Sequence, residues 1–458
     1  MIMQKFVNRE NELKVIRDNI KKGAFIIIYG RRRVGKTRLI VEATKDLTTI
    51  YHLCMEEELS EALRRLNLKL FELFKDESLI KKPIASFEDF FDYIADKDLI
   101  LIFDEFPILV KNYSRILGLL QEFWDFKRKA NNSIILCGSS ISMMEEIQSY
   151  KSPIYGRRTL SLKVHPLKFK NLREFFPKYS TEDLVKTYAV LDGIPEYLLR
   201  FDPNEGFMEN LTENFFKKGF LYEEAEHLLR YELRDLSTYN TILEAISFGY
   251  RSFSEIKTKT GLDSAKLSRY LSILENLGLI KRETLITLTQ KEKLKKRNAL
   301  YQINDNYFNF YYSFIYPFKE EIEIDLLDEP LRNFERNFNR YLGFIFEKVA
   351  KEFLIELNKQ EALPFRFTKI GKWWHKGEEI DIVALNEREK KALFVEVKWK
   401  ELNLREAKGI LKDLKRKAEL VKELKDYTKH FTIVAKRIKG KEKLDTLTFD
   451  LKDLESVL

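Results

Sequence analysis

The chain's 458 residues leave room for about three domains of ~150 residues, each able to bury a core without disulfides or metal. Hydrophobic residues make up 44% and charged residues 33%, while only 17 Gly and 10 Pro are present, which excludes collagen-like and low-complexity architectures. Lys and Arg number 81 against 72 Asp and Glu, and the net +9 suits a nucleic-acid partner without requiring one.

The chain opens on MIMQKFVNRE, which has no apolar h-region, so a cytoplasmic location is expected. Ala24 to Tyr29 is a continuous apolar run of the length of a buried parallel strand. It meets Gly30-Arg31-Arg32-Arg33-Val34-Gly35-Lys36-Thr37, a full G-x-x-x-x-G-K-[ST], and then a helical pattern from Arg38. Such a loop wraps phosphates with backbone N–H groups, and the helix behind it points its positive end at the anion. Gly30, Arg33, Val34, Gly35, Lys36, Thr37 and Arg38 are therefore the expected nucleotide positions. Lys36 reaches the β/γ oxygens and Thr37 ligates Mg²⁺, so ATP and Mg²⁺ are the implied cofactors. The apolar run Leu99 to Phe103 ends in Asp104-Glu105, where Asp104 serves the Mg²⁺ shell and Glu105 polarises the attacking water. A third apolar strand, Ser133 to Cys137, ends in Gly138-Ser139-Ser140, and Ser139 is placed to sense the γ-phosphate. Cys137 reads as a small core residue.

These segments, together with Phe6-Val7-Asn8-Arg9-Glu10, Tyr155-Gly156-Arg157-Arg158 and Gly193-Ile194-Pro195, resemble the archaeal ATPases of the STAND class. The resemblance implies that Asn8 and Arg9 border the adenine and that Pro195 sits in a helical lid contacting the nucleotide. Arg157 and Arg158 are either an arginine sensor for the γ-phosphate or a solvated basic turn.

Leu167 to Arg234 is helical throughout and reads as that lid. A trihelical pattern follows, with Gly261 as a breaker and Asp263 or Ser264 as N-cap of the third helix. Strands Leu279 to Glu283 and Ala299 to Ile303 then close a hairpin, the layout of a winged helix-turn-helix. Leu267, Leu271 and Leu274 make the buried stripe of its third helix, leaving Lys266, Ser268 and Arg269 outward for a DNA groove. Lys281 to Asn298 holds seven basic residues against two acidic ones, so Lys293, Lys295 and Lys296 are further expected phosphate contacts. A winged helix used for protein contacts is the competing reading. The aromatic run Asp305 to Tyr312 resembles the segment joining the two halves of this ATPase family; with no Arg or Lys interleaved it reads as domain-packing core rather than a stacking platform for bases.

Two apolar strands, Glu379 to Leu385 and Lys391 to Lys398, flank a polar turn. If the hairpin is symmetric, Asp381 faces Glu396 and Glu379 faces Lys398, all on one face. Opposed carboxylates repel unless a cation lies between them, and hard oxygen ligands suit Mg²⁺ or Mn²⁺. Lys398 is then placed to stabilise charge developing on a phosphate. The order D-x14-E-x-K resembles the PD-(D/E)xK nuclease core of restriction enzymes and archaeal Holliday-junction resolvases, with Ile380 where the literal Pro would stand. The resemblance adds an acidic residue on a preceding helix, supplied here by Glu347. Trp373 and Trp374 read as core residues beside this face, and Glu401 to Leu424 as one charged amphipathic helix.

The resulting fold class is α/β multidomain: a P-loop parallel-sheet ATPase core (1–165), a helical lid (166–235), a winged helix-turn-helix (236–305), a linker (306–335) and a restriction-endonuclease-like α/β domain (336–458). Cys54 and Cys137 are too few for a disulfide framework, and five scattered His exclude structural zinc. No apolar run approaches the ~18 residues of a membrane span. The functional expectation is an ATP-binding and hydrolysing, DNA-acting protein whose nucleotide state gates a Mg²⁺-dependent nuclease. The alternatives are an ATP-switched signalling or transcription-type regulator with an inactive nuclease fold, and an ATPase acting on protein partners. Assembly into a homo-oligomer stays open.

Overall fold

The computed structural model describes residues 6–233, 235–293 and 299–457. They fall into two compact units, 1–166 and 167–458. Among the described residues no helix is long and apolar enough to cross a membrane.

In the first unit, β1 (Phe25–Tyr29), β2 (Thr49–Leu53), β3 (Ile100–Asp104), β4 (Ser133–Gly138) and β5 (Leu160–Lys163) form a parallel sheet in the order β2-β3-β4-β1-β5. Helices α1 (Glu10–Ile20), α2 (Lys36–Ala43), α3 (Leu59–Phe74) and α4 (Phe87–Ile94) belong to the same unit. Apolar residues run continuously through β1, β3 and β4 because their side chains are buried in both of the unit's hydrophobic clusters. The order puts β4 between the strand that feeds the phosphate loop and the strand that ends in Asp104. Gly30 leaves β1 at φ 152°, and a Cβ there would stand 2.3 Å from the Val164 carbonyl oxygen. Any side chain at Gly30 would therefore displace the loop or the strand behind it.

In the second unit, α5 (Thr181–Leu191) and α6 (Pro195–Leu198) are joined by the turn Asp192-Gly193-Ile194. A Cβ on Gly193 would meet the Leu167 carbonyl oxygen at 1.7 Å, so this backbone crossing admits glycine alone. Helices α7 (Leu236–Ser247), α8 (Phe253–Thr260) and α9 (Ser264–Asn276) precede an antiparallel ribbon of β6 (Ile280–Glu283) and β7 (Leu300–Ile303). Asp263 caps α9 by accepting from the N–H groups of Ala265 and Lys266, and Leu267, Leu271 and Leu274 are its buried stripe.

Beyond α10 (Asn306–Phe310), helix α11 (Asp328–Lys359) runs for 32 residues. It leads into a sheet of β8 (Lys369–His375), β9 (Glu378–Asn386), β10 (Lys391–Leu402) and β11 (Thr428–Ile438), in the order β11-β10-β9-β8. Only β10 and β11 are parallel, with α12 (Leu404–Glu419) between them in sequence. The expected helix from Glu401 to Leu424 is thus shorter, because β10 extends to Leu402 and α12 stops at Glu419.

One expectation fails here for a packing reason. The 306–335 linker is not a linker: Tyr307, Phe308, Phe310, Tyr311 and Tyr312 are buried, and α11 has begun by Asp328. These aromatics join a single hydrophobic cluster running from Leu167 to Leu454, so the segments expected as separate domains share one core. The start of the β6–β7 connection is packed against β8. Leu285 bridges Lys372, Ile286 N–H donates to the Lys372 carbonyl at 3.0 Å, and the Ile286 side chain packs with Trp373 and Ile380.

Candidate functional site

Two polar centres stand out, one in each unit. In the first, α2 starts at Lys36, and the buried Lys36 ammonium donates to the carbonyls of Gly30 at 2.8 Å and Arg31 at 3.0 Å. Burial lowers its pKa, with Cys137, Glu105 and Asp104 opposing. Asp104 lies at the end of β3, where its Oδ2 accepts from the Thr37 hydroxyl at 2.7 Å and from the Tyr51 hydroxyl at 2.6 Å. Burial works against ionisation of Asp104, but hydrogen bonds from Tyr51, Cys137, Thr37 and the Glu105 N–H outweigh it and hold the carboxyl below its usual range. The next residue, Glu105, is in the left-handed region at φ 53°, and its Oε2 accepts from Ser139 Oγ at 2.8 Å and Ser139 N at 3.2 Å. Strand β4 brings Ser139 to this position from between β1 and β3.

A hydroxyl and an ionised carboxylate 2.7 Å apart beside a phosphate loop are the donor set Mg²⁺ takes alongside nucleotide phosphates. The residues present therefore fit Mg–ATP, with Thr37 and Asp104 toward the metal, Lys36 toward the phosphates and Glu105 toward the water.

Arg9 is buried, and its guanidinium donates to the Val34 carbonyl at 3.2 Å and the His165 carbonyl at 2.6 Å, with Glu12 at 3.0 Å. It braces the loop, and Asn8 Oδ1 accepts from its backbone N–H at 2.8 Å. Arg33 takes φ 67° within the loop, and Arg38 is exposed on α2. Arg157 is committed to Asp125 at 2.8 Å, and Arg158 donates to the Gln148 carbonyl. Arg157 is therefore ion-paired in this structure and Arg158 is held by a backbone carbonyl, while the choice between sensor and basic turn stays open. Pro195 belongs to the second unit, as the first residue of α6.

The second centre gathers Glu347 from α11, Lys372 from β8, Asp381 from β9 and Glu396 and Lys398 from β10. The β9–β10 register follows the symmetric hairpin from Lys391–Asn386 to Val395–Ile382. Asp381 Oδ2 accepts from the Val397 N–H at 2.8 Å, and Lys398 Nζ lies 2.7 Å from Glu396 and 3.9 Å from Asp381. Glu379 does not pair with Lys398 as expected. It is exposed, 3.6 Å from Lys372, whose ammonium is 2.9 Å from Glu347. Lys417 adds a second cation 3.4 Å from Glu396.

Burial, then the nearby Glu396, pushes the Asp381 pKa up to about 6, and burial raises Glu347 to about 7 against the pull of Lys372. Lys372 rises to about 12 because Glu347 and Glu379 outweigh its desolvation. Glu396 Oε2 is buried without a hydrogen-bond partner. Among the described residues no group of three or more His, Cys, Asp and Glu is arranged to hold a metal ion. The centre thus presents two neighbouring carboxylates, Asp381 and Glu396, one of them with an unpartnered oxygen.

Of the expected DNA contacts, Lys266 and Arg269 are exposed on α9 and Ser268 is partly buried. Lys295 and Lys296 lie outside the described residues, as does the side chain of Lys293. Sequence reasoning missed Tyr51, Lys372 and Lys417. The one signal for Lys372 is a lysine set in an aromatic strand, KIGKWWH.

Residues 6–201 match the model of an ATPase domain predominantly from Archaea, and residues 311–410 match a family described as archaeal and bacterial proteins of unknown function. An uncharacterized protein of Methanocaldococcus jannaschii is 45% identical over 455 residues, covering 98% of this chain and 99% of the relative. The chain belongs to this archaeal ATPase family. Among solved structures, the Walker-type ATPase of Pyrococcus abyssi matches with TM-score 0.53 and 22% identity over 67% of this chain and 96% of its own, a likeness of fold. An Aeropyrum pernix ORC2 protein matches with TM-score 0.44 and 13% identity over 71% of this chain and 96% of its own. This ATPase-family chain thus has a parallel-sheet P-loop unit and a second unit that holds its own carboxylate–lysine centre.

Proposed function

We propose that this protein is an ATP-switched, DNA-acting ATPase of the STAND class in which nucleotide state gates a metal-dependent nuclease centre. The observation that carries the reading is the convergence of Asp381, Glu396 and Lys398 with a buried, unpartnered Glu396 Oε2. The PD-(D/E)xK order supports the same assignment, and the three helices with their ribbon support a winged helix-turn-helix for DNA contact.

In the first unit Lys36 holds the β/γ-phosphates, Thr37 and Asp104 hold Mg²⁺, and Glu105, steadied by Ser139, orients the attacking water. In the second, Asp381 and Glu396 hold Mg²⁺ or Mn²⁺, and Lys398 stabilises the charge that builds on the scissile phosphate. When bound, that cation supplies Lewis-acid polarisation of the phosphate and a more acidic water. Glu347 is a positioning residue, acting through Lys372.

The test is a nuclease assay on single-stranded, duplex and branched DNA with metal and nucleotide varied. Cleavage that needs Mg²⁺ or Mn²⁺, disappears in Asp381→Ala and Glu396→Ala, and changes with ATP is the expected result. A specific observation favours a second reading: Lys398 and Lys417 neutralise Glu396, and Lys372 neutralises Glu347. On that reading the centre is structural and the protein is an ATP-switched regulator. No cleavage of any substrate, with no metal bound beyond the ATPase site, would decide for it.

A further inference from the structure

The second unit contains a cavity of about 460 Å³, with part of the carboxylate centre in its wall. Its lining includes Phe248, Lys281, Phe344, Lys351, Glu347 and Asp381. Phe248 and Phe344 are 50% and 54% exposed, whereas Asp381 is 7% exposed, so the lining runs from solvent-facing rings to a buried carboxylate.

Ion pairs within or at this lining include Arg251–Glu283, Lys348–Asp192, Lys372–Glu347, Lys372–Glu379 and Lys398–Asp381. Lys281, Lys351 and the nearby Arg340 take no part in them, although all three line the cavity. Lys281 is an exposed residue of this lining. Desolvation and then Lys348 and Lys351, against the opposing Glu283 and Asp192, bring its pKa down to about 8. An anion in the cavity would relieve that crowding of cations.

Size decides what kind of anion. A volume of ~300–1,000 Å³ takes a small ligand or one or two nucleotides. A paired duplex keeps its bases stacked inside it, whereas an unpaired base can leave the strand and stack on a ring in the lining. Exposed aromatic rings next to unpaired cations are the combination that receives stacked bases and a strand backbone.

We propose that this cavity takes an unpaired stretch of a DNA strand, its base against Phe344 or Phe248 and its phosphates against Lys281, Lys351 and Arg340. Unpaired strand, whether a free end or a tail on a duplex, is then the substrate class of the carboxylate centre. This deepens the nuclease reading and rests on it for the cleavage step alone. The cations offset the repulsion between phosphate and the carboxylates behind them, which otherwise keeps a strand out of the site.

The experiment measures fluorescence anisotropy of labelled oligothymidine, a blunt duplex and a duplex with a single-stranded tail, using the full chain in EDTA so that nothing is cut. The strand and the tailed duplex are expected to bind at least tenfold tighter than the blunt duplex. Phe344→Ala, a change at a half-exposed ring, weakens them by ~5- to 100-fold. Lys351→Gln and Lys281→Gln each lower the salt slope by about 0.7. Unchanged melting temperatures confirm that the variants fold, and Phe344→Leu, which keeps bulk without a π-face, binds as weakly as the alanine variant. Equal affinity for blunt duplex, or variants that bind like wild type, overturns the proposal. A Mg²⁺ arm separates the two ideas. Asp381-dependent cutting of blunt duplex without a role for Phe344 defeats the cavity while the nuclease reading stands. Phe344-dependent binding with no cutting keeps the cavity and defeats the nuclease reading alone.

Discussion

The two centres of this protein solve the problem of a buried carboxylate in opposite ways. Asp104 is surrounded by neutral donors, Tyr51, Thr37 and Cys137, and stays ionised below its usual range. Asp381 is surrounded by other carboxylates and lysines, and burial together with Glu396 raises it to about 6. A carboxylate held by hydroxyls keeps its full charge for a cation, because a neutral donor does not compete with the metal electrostatically. A carboxylate held by Lys398 shares its field with an ammonium that a metal must push aside. The P-loop centre is therefore preorganised for a cation, whereas on the nuclease reading proposed above the second centre would have to rearrange its lysines to admit one.

The largest effect that tests this contrast is in the first unit. Lys36→Ala should abolish ATP binding by removing its contact with the β/γ oxygens. Glu105→Gln should keep binding and lose ~10²–10⁴-fold in turnover, because only water activation is removed. Measured nucleotide affinity and single-turnover hydrolysis separate the two. Equal turnover in wild type and Glu105→Gln would strip Glu105 of its role and leave its bond to Ser139 as structure alone.

In the second unit the same contrast predicts a split between ligand and non-ligand. Asp381→Ala should eliminate both metal binding and cleavage. Lys398→Ala should stop cleavage yet bind Mg²⁺ or Mn²⁺ more tightly than wild type, since it frees Glu396 from a competing ammonium 2.7 Å away. Calorimetric metal titration of the two variants reads this directly. Tighter binding in neither would mean that Lys398 does not compete, and the asymmetry between the centres would collapse.

Both centres were partly legible in the sequence, and what stayed hidden has a common cause. The phosphate loop, Asp104-Glu105 and the Asp381/Glu396/Lys398 order are local patterns, carried by one strand end or one hairpin. The tight turn fixed the β9–β10 register, so the five recorded pairs follow the symmetric alignment. Glu379 escaped because its partner comes from β8, a strand outside the hairpin from which its pairing was inferred. Tyr51 and Lys417 are non-local in the same way: each reaches its carboxylate from another element and belongs to no motif. The aromatic run Tyr307 to Tyr312 was legible as packing core; what stayed hidden is that this core is shared with α11 and the sheet, so 306–335 is no connector. So dense an aromatic run has to be buried, and here it forms the core joining the helices to the sheet.

A smaller effect comes from the neutral donor that sequence reasoning missed. Tyr51→Phe removes the 2.6 Å hydrogen bond to Asp104 while keeping the ring. Mg–ATP affinity should fall by about 10-fold, the low end of what an outer-shell partner contributes. Thr37 and the Glu105 N–H still hold Asp104, so the fold and nucleotide binding without metal should persist. Titration of ATP with and without Mg²⁺ checks this, and an unchanged Mg²⁺ dependence would show that Tyr51 is a spectator.

The smallest effect calibrates what lysines do to a carboxylate that has no acidic neighbour in its ion-pair group. Glu356 lies 2.9 Å from Lys359, 3.1 Å from Lys170 and 3.4 Å from Lys168. Although burial opposes ionisation, Lys359 and Lys170 prevail and bring its pKa from 4.5 down to about 2. Asp381 also has a lysine at hand and yet moves the other way, so burial beside a second carboxylate, not a shortage of cations, raises it. A depressed carboxyl stabilises the fold fully above its unfolded pKa, and that contribution fades as pH falls toward the folded value. Because the three lysines are substantially exposed, solvent screening limits the loss in Glu356→Gln to about 1 kcal/mol near neutral pH. The gap between variant and wild type should close as pH falls from 4.5 toward 2, and urea unfolding across that range measures it. A gap that stays constant would mean that Glu356 acts through packing and the amide's shape, and the charge argument that separates it from Asp381 would fail.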